Sequence, residues 1–270
     1  MGVTLSINEI KNVTTEMARY KSLDYTGYSY SFLKRRLGHV FGKLKIRRLP
    51  QFSERLADET FRESVKYYMA VNVTEMFRDP GFWRALRNDV FPLFNGNNWS
   101  AWLPDTPSGE EVYSLLVLLK EEDLLERVDV LCQHPSKEKC REISEGVIDI
   151  GNVDVSYSNY KRLEENDCFD DYFTEAVDGR FFRKDLLKKC RFRNSWFGDE
   201  EPDENFDLIL FRNSGINYTA RKKEETFGTI LERLKPGGVI ALGVREAVPL
   251  SFRDQLDVLN EKESIFFRKS

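Results

Sequence analysis

Only two histidines, His39 and His134, occur in the 270 residues, and neither lies in a recognised catalytic motif. Histidine-based catalysis therefore has little to work with. No GxSxG elbow and no phosphate-binding P-loop occurs, so hydrolysis by an activated serine and P-loop phosphoryl transfer are also without support. Cysteine is sparse: Cys132, Cys140, Cys168 and Cys190 are widely spaced, with no CxxC pair. Neither a disulfide framework nor a zinc site is expected from that pattern. No run approaches the roughly eighteen apolar residues of a membrane span, and MGVTLSINEI lacks a signal-peptide pattern. These absences point to a cytoplasmic protein without a transmembrane segment or a bound metal.

What is present is ordinary for a globular protein, with 41% hydrophobic and 32% charged residues and a formal charge of -4. That sign argues against whole-protein affinity for nucleic acid. Charge is nonetheless uneven. Residues 25–53 contain no acid but hold Lys34, Arg35, Arg36, Lys43, Lys45, Arg47 and Arg48. Such a face can dock an acidic helical protein surface, or simply be a solvated helix. The acidic run GDEEPDENFD (198–207) needs only solvation to explain it.

Hydrophobic periodicity divides the chain. Residues 7–70 read as helical, with Gly27, Gly42 and Pro50 as breaks, giving an N-terminal helical domain over 1–72. A linker and connecting helix follow over 73–97, with Pro80 marking a helix start. From residue 98 the rhythm changes to strand candidates NNWSAWL, VDVLC and FDLILF alternating with helices GEEVYSLLVLLKEEDLLERV and SKEKCREISEGV. The run ARKKEETFGTILERLKPGGVIALGV reads as a helix ending near Lys235, a Pro-Gly-Gly turn and a strand, and the C-terminus as a final antiparallel pair. Alternation of this kind predicts a layered α/β domain with a mainly parallel sheet over 98–270. A small β-insertion at about 168–193 interrupts it, with a hairpin turn at Asp178 and Gly179.

Four places near predicted strand ends can carry chemistry, because open α/β sheets bind ligands at their carboxyl edge. The first is SGEE (108–111), where Ser108 is placed to cap a helix and acids occupy the first turn. The second is Gln133 and His134 at the end of VDVLC, where nucleoside binders often carry an acid for the ribose hydroxyls. Arg212 and Asn213 follow FDLILF and are poor core residues, and Arg78 lies at the junction between the two parts. Group transfer from a small bound cofactor suits such a sheet edge better than hydrolysis does.

In order along the chain, NVTEMFRD (72–79), SGEEVYS (108–114), FDLILFRNSGINY (206–218) and LKPGGVIALGVRE (234–246) resemble the motifs of the chemotaxis receptor methyltransferase (CheR-type) family. The resemblance implies a Rossmann-like class I AdoMet methyltransferase sheet behind a basic helical domain, with the small β-subdomain as a second docking element. It implies S-adenosyl-L-methionine (AdoMet) as cofactor and a glutamate side chain of a chemoreceptor or related signalling protein as methyl acceptor. Arg78 would meet the methionyl carboxylate and Glu110 the cofactor's amino-acid end. Thr74, Gln133, His134, Asn194, Arg212 and Asn213 would complete the cofactor shell. Asn217 aligns with the family's active-site tyrosine, Tyr218 stands one place later, and Lys34, Arg35, Arg36, Lys43 and Arg47 would face the receptor.

The departures also fall on the site. The family's small-residue loop is here Leu-Pro-Asp-Thr-Pro (103–107), the ribose acid aligns with His134 or Gln133, and the expected asparagine falls near Trp196 with Asn194 close by. A second expectation therefore stands beside the enzyme: a CheR-like binding module that keeps the fold without catalysis.

Overall fold

The computed structural model describes residues 5–269 apart from 72, 73, 95, 97, 149, 164–167, 178 and 197. Asn72 of the first motif and Asp178 of the expected hairpin turn thus lie outside the described residues.

Four helices come first: α1 (Ile7–Met17), α2 (Tyr30–Lys43), α3 (Leu49–Arg55) and α4 (Glu59–Met69). Their starts follow ordinary chemistry. Ser6 and Glu9 form a reciprocal capping box on α1, and Asp58 accepts from Thr60 N at the start of α4. Pro50 opens α3 rather than breaking a helix, because proline fits the first turn where no N–H partner is missing. Gly42 lies inside α2, one residue before its end, and breaks nothing. As expected, Pro80 begins the short helix α5 (Pro80–Ala85).

The remaining elements are β1 (Trp99–Leu103), α6 (Glu110–Glu121), β2 (Val128–Gln133), α7 (Lys137–Ser144) and α8 (Val153–Lys161). They continue with β3 (Phe173–Ala176), β4 (Gly179–Phe182), β5 (Cys190–Arg193) and β6 (Phe206–Phe211). The chain closes with α9 (Ala220–Glu232), β7 (Leu234–Leu242), β8 (Leu256–Asn260) and β9 (Ile265–Arg268). Seven strands form one sheet in the order β5-β2-β1-β6-β7-β9-β8, while β3 and β4 pair separately as an antiparallel hairpin. Neighbours from β5 to β7 are parallel, and β9 joins β7 and β8 antiparallel. This is the expected Rossmann-like sheet with its terminal antiparallel pair. Strand β5 pairs with β2 at the sheet edge, so the separate hairpin is confined to residues 173–182. The Pro-Gly-Gly turn is absorbed into β7 as an irregularity in its pairing with β6, with Gly237 at φ +75, and α9 already ends at Glu232.

Strand order reverses at β1, whose neighbours β2 and β6 leave in opposite directions, and the crevice at their carboxyl ends is where such sheets bind ligands. The pleat sends alternate residues into two cores. Ala101, Val130, Leu208, Leu210 and Val239 join α6 and α8 on one face. Trp102, Leu131, Ile209, Phe211, Ile240 and Leu242 face the other way. That second core also contains Leu33, Leu37, Phe41, Phe52, Phe61 and Val65 from the N-terminal helices, so those helices share a core with the sheet.

Arg36 shows how the basic segment is divided. Its guanidinium reaches from α2 and donates to the carbonyls of Tyr68, Met69 and Ala70, satisfying the open C-terminal end of α4. It therefore turns inward, whereas Lys34, Arg35, Lys43 and Arg47 are exposed. Arg36→Ala should lower the unfolding free energy by about 2 kcal/mol, because charged hydrogen bonds to otherwise unpaired carbonyls are lost. Lys43→Ala should change it by no more than about 0.5 kcal/mol. Urea denaturation of both variants checks the contrast.

Candidate functional site

Three of the sequence motifs meet around one buried cation. Arg212, just beyond β6, has a side chain only 2% exposed and holds Asp79 at 2.9 Å and Glu111 at 3.0 Å. Its guanidinium lies over the Phe82 ring, 3.7 Å from the centroid. The segment before α5 is fastened to α6 by further bonds. Thr74 Oγ1 donates to Glu110 Oε2 at 2.7 Å and pairs with Ser108 Oγ at 2.6 Å. Phe77 N donates to Ser114 Oγ at 2.8 Å. Phe77 and Asp79 are both left-handed, at φ 54 and 57, a conformation that side chains adopt only when surrounding contacts hold it.

Ser108 is therefore not the cap of α6. Gly109 occupies that position, and a side chain there would run into the Tyr113 ring, which passes 2.1 Å from where a Cβ would sit. Setting the helix start at Gly109 also decides which glutamate faces inward. Glu110 turns toward Thr74 and a separate recess beside Met76 and Phe169, while Glu111 lines the crevice at the strand ends.

That crevice is a cavity of about 310 Å³. Its floor is made by residues after β1, β2 and β6, including Asp105, His134, Arg212, Asn213 and Asn217. One wall carries Thr74, Glu75, Arg78 and Glu111, and the N-terminal part supplies Tyr25, Tyr28, Phe32 and Arg35. The roof is tied down by Ser29 N donating to Asn217 O at 2.8 Å and Thr219 N donating to Gly27 O at 2.9 Å.

The sequence-derived residues fall into two groups. Thr74, Arg78, His134, Arg212, Asn213 and Asn217 line the cavity. Gln133 does not: its amide accepts from Trp102 Nε1 at 2.8 Å and donates to Ser195 Oγ and the Glu200 carbonyl, each at 3.0 Å. Asn194 donates to the carbonyls of His134 and Pro135 and so braces the turn that presents His134. Tyr218 lies beneath the roof, its ring edge-on to Tyr28 at 4.7 Å. Glu246, which the sequence reading did not single out, accepts from Asn213 N, Ile216 N and Gly243 N at 2.7 to 2.8 Å and fixes the loop carrying Asn213 and Asn217. Asp105, Tyr25, Tyr28 and Trp196 are further cavity residues outside that set; the aromatic density of LDYTGYSYSF was the available signal for two of them.

Enclosure dominates the electrostatics. Burial pushes the Asp105 carboxyl up, only partly offset by its hydrogen bond with Ser214. Burial likewise pushes Glu111 up against the pull of Arg212, and holds the Tyr28 and Tyr218 hydroxyls protonated. His134 is pushed down to about 3 by burial, so its imidazole is neutral near pH 7. Nδ1 accepts from Ser136 N at 2.9 Å, which leaves the ring proton on Nε2.

A family model described as CheR methyltransferase, SAM binding domain, matches residues 72–265. The chain belongs to the CheR methyltransferase family. Cher3 of Pseudomonas putida is 28% identical over 254 residues, covering 92% of both chains. The chemotaxis protein methyltransferase of Listeria monocytogenes is 26% identical over 241 residues, covering 87% of this chain and 88% of its own. Among solved structures, the N-methyltransferase NodS of Bradyrhizobium japonicum aligns with 86% of this chain and 98% of its own, at 12% identity and a TM-score of 0.39.

The donor set of this CheR-family cavity fits AdoMet chemically. A half-exposed arginine, Arg78, suits a carboxylate, and the Glu111 carboxyl suits an ammonium group. Trp196 and Tyr25 offer ring faces, and Asp105 and His134 offer polar atoms for hydroxyls. Among the described residues no helix is long and apolar enough to cross a membrane.

The buried neutral imidazole sets a pH dependence. His134 binds its proton in the unfolded chain below about pH 6.5 but in the folded protein only near 3. Its contribution to stability is thus complete above the unfolded value and is lost as pH falls through that window. The unfolding free energy of wild type relative to His134→Gln should fall by about 1.4 kcal/mol per pH unit between pH 6 and 4. Denaturant titrations of both proteins across that range measure it, and a pH-independent difference would count against the buried neutral state.

Proposed function

We propose that this chain is an AdoMet-dependent methyltransferase whose acceptor is a side-chain carboxylate, of the glutamate type, on a chemoreceptor or related signalling protein. The observation that carries the reading is the convergence of Arg78, Glu111, Arg212, Asn213 and Asn217 on one roofed cavity at the strand-order reversal. AdoMet supplies the methyl group when bound. The chain's own residues have the simpler tasks of binding, orienting and excluding water. Arg78 takes the methionyl carboxylate, Glu111 the ammonium end, and Arg212 keeps Glu111 and Asp79 in place from behind. A carboxylate acceptor is already ionised and nucleophilic at neutral pH, so the chemistry needs no histidine base. Asn217, which lines the cavity, orients that acceptor in this reading. The relatives named as chemotaxis protein methyltransferases support methyl transfer within chemotaxis signalling.

The second reading, a non-catalytic binding module, is favoured by Pro104 and Pro107 in the loop after β1 and by the non-acidic residue at 134. Titration calorimetry with AdoMet and S-adenosylhomocysteine separates the two readings. Binding with Arg78→Ala weakened roughly 10- to 100-fold is the expected result. A folded protein that shows no heat at millimolar cofactor would leave only the module.

The exposed cations Lys34, Lys43 and Arg47 are the proposed contact for an acidic helical partner. Charge reversal at Lys34 and Arg47 should reduce association with a chemoreceptor cytoplasmic fragment and flatten its salt dependence, with cofactor affinity unchanged. Equal association by the reversed protein in a pull-down at low salt would remove that face from the assignment.

A further inference from the structure

The turn after β2 is held from three directions. His134 N donates to the Arg193 carbonyl at 3.2 Å, and Asn194 Nδ2 donates to the carbonyls of His134 and Pro135 at 3.3 and 3.0 Å. The third hold comes from the helical part. Glu63 of α4 accepts from Ser136 Oγ at 2.6 Å and from Glu138 N at 3.1 Å, both through one carboxylate oxygen. Ser136 is fully buried and caps α7, its hydroxyl oxygen accepting from Lys139 N at 3.1 Å. The hydroxyl proton goes to Glu63, and the two bonds together fix the direction of the Ser136 backbone N–H.

That N–H donates to His134 Nδ1 at 2.9 Å. A ring nitrogen that accepts carries no proton, so the imidazole is the neutral Nε2–H tautomer. The residue is only 3% exposed and lines the cavity. Nδ1 is turned to the Ser136 backbone, which leaves Nε2 for the cavity, and no group of the described residues accepts its proton. A buried N–H without a protein partner, opening onto a cavity, calls for an acceptor from the ligand. Because the donor is neutral, an uncharged acceptor suits it, such as a hydroxyl oxygen or a ring nitrogen. The strand ends beside the reversal of strand order are where α/β sheets hold nucleosides. A carboxylate at this place would require a hydroxyl that donates; this imidazole requires an atom that accepts.

We propose that Glu63 is a positioning residue of the cofactor site: through Ser136 it holds His134 so that Nε2–H meets an uncharged acceptor atom of the cofactor's nucleoside. This rests on the AdoMet reading and deepens it. A helix of the N-terminal part, whose own side chain does not line the cavity, thereby decides which ligand atoms are read there.

The test is calorimetry of the full chain with S-adenosylhomocysteine and its 2′-deoxy, 3′-deoxy, 3-deaza and 7-deaza analogues. Wild type should bind one of these analogues roughly three- to tenfold more weakly, the range of a neutral hydrogen bond. His134→Phe should weaken the parent ligand by a similar factor and no longer distinguish that analogue. Glu63→Ala should show the same loss of preference. Glu63→Gln, whose amide oxygen still accepts from Ser136 and Glu138, should restore it, and thermal melts establish that the variants fold. Coupling to a deoxy ligand puts the acceptor on the ribose and coupling to a deaza ligand puts it on the purine; either supports the proposal. Imidazole nitrogen resonances, simple to assign with two histidines in the chain, give a ligand-free readout. They should show the Nε2–H tautomer in wild type and Glu63→Gln, and a tautomer mixture in Glu63→Ala. Glu63→Ala with the wild-type preference, His134→Phe that discriminates like wild type, or wild type that distinguishes none of the ligands overturns the proposal and leaves the AdoMet reading intact. Wild type that binds none of them overturns both.

Discussion

A single buried guanidinium organises this molecule. Arg212 emerges from the end of β6 into a space with almost no solvent, and a charge placed there is tolerable only if carboxylates meet it. Asp79 and Glu111 do so from two different parts of the chain, and the Phe82 ring covers the remaining face. The ion pairs thereby set the distance between the segment before α5, the start of α6 and the end of β6. Asp79 accepts a left-handed backbone in the process. Three stretches far apart in sequence become one wall of a cavity because each supplies part of the same neutralisation.

The second organising fact is the glycine at the start of α6. The Tyr113 ring crosses so close to Gly109 that no side chain fits, and this contact fixes where the helix begins. The phase of the helix then assigns its two leading glutamates to different environments. The same tyrosine stacks on Phe182 of the β3–β4 hairpin with centroids 4.5 Å apart, and its hydroxyl meets the carbonyls of Ile143 and Val147. Cavity wall and hairpin base are thus joined through one side chain.

Strand identity was legible because a dense apolar run such as FDLILF is too short for a helix and is bounded by polar residues on both sides. The four motifs in register exposed the cavity's main components, Arg78, Arg212 and Asn213. Other features depended on three-dimensional detail that a linear pattern does not carry. Glu110 and Glu111 are adjacent in the same motif, and only the cap position distinguishes them. Arg36 sits within a basic run, yet the open carbonyls of α4 claim it. Gln133 and Tyr218 have suitable chemistry at suitable places, but Trp102 and Tyr28 have already engaged them. The place of Asp105 in the cavity depends on the loop's own hydrogen bonds, Thr106 to Gln133 and to Leu103, which the sequence does not show.

The shared core has a consequence for how the chain is divided. Leu33, Leu37 and Phe41 of the helical part and Phe211, Ile240 and Leu242 of the sheet bury one another. A fragment cut at residue 72, where the family match begins, would uncover the part of that sheet face that the N-terminal helices bury and leave the part under Phe227, Ile230 and Leu231 of α9. The helices are therefore not a detachable accessory on a self-sufficient enzyme core. They share the second layer with α9, so a cut at residue 72 leaves that layer half built and its apolar residues in water.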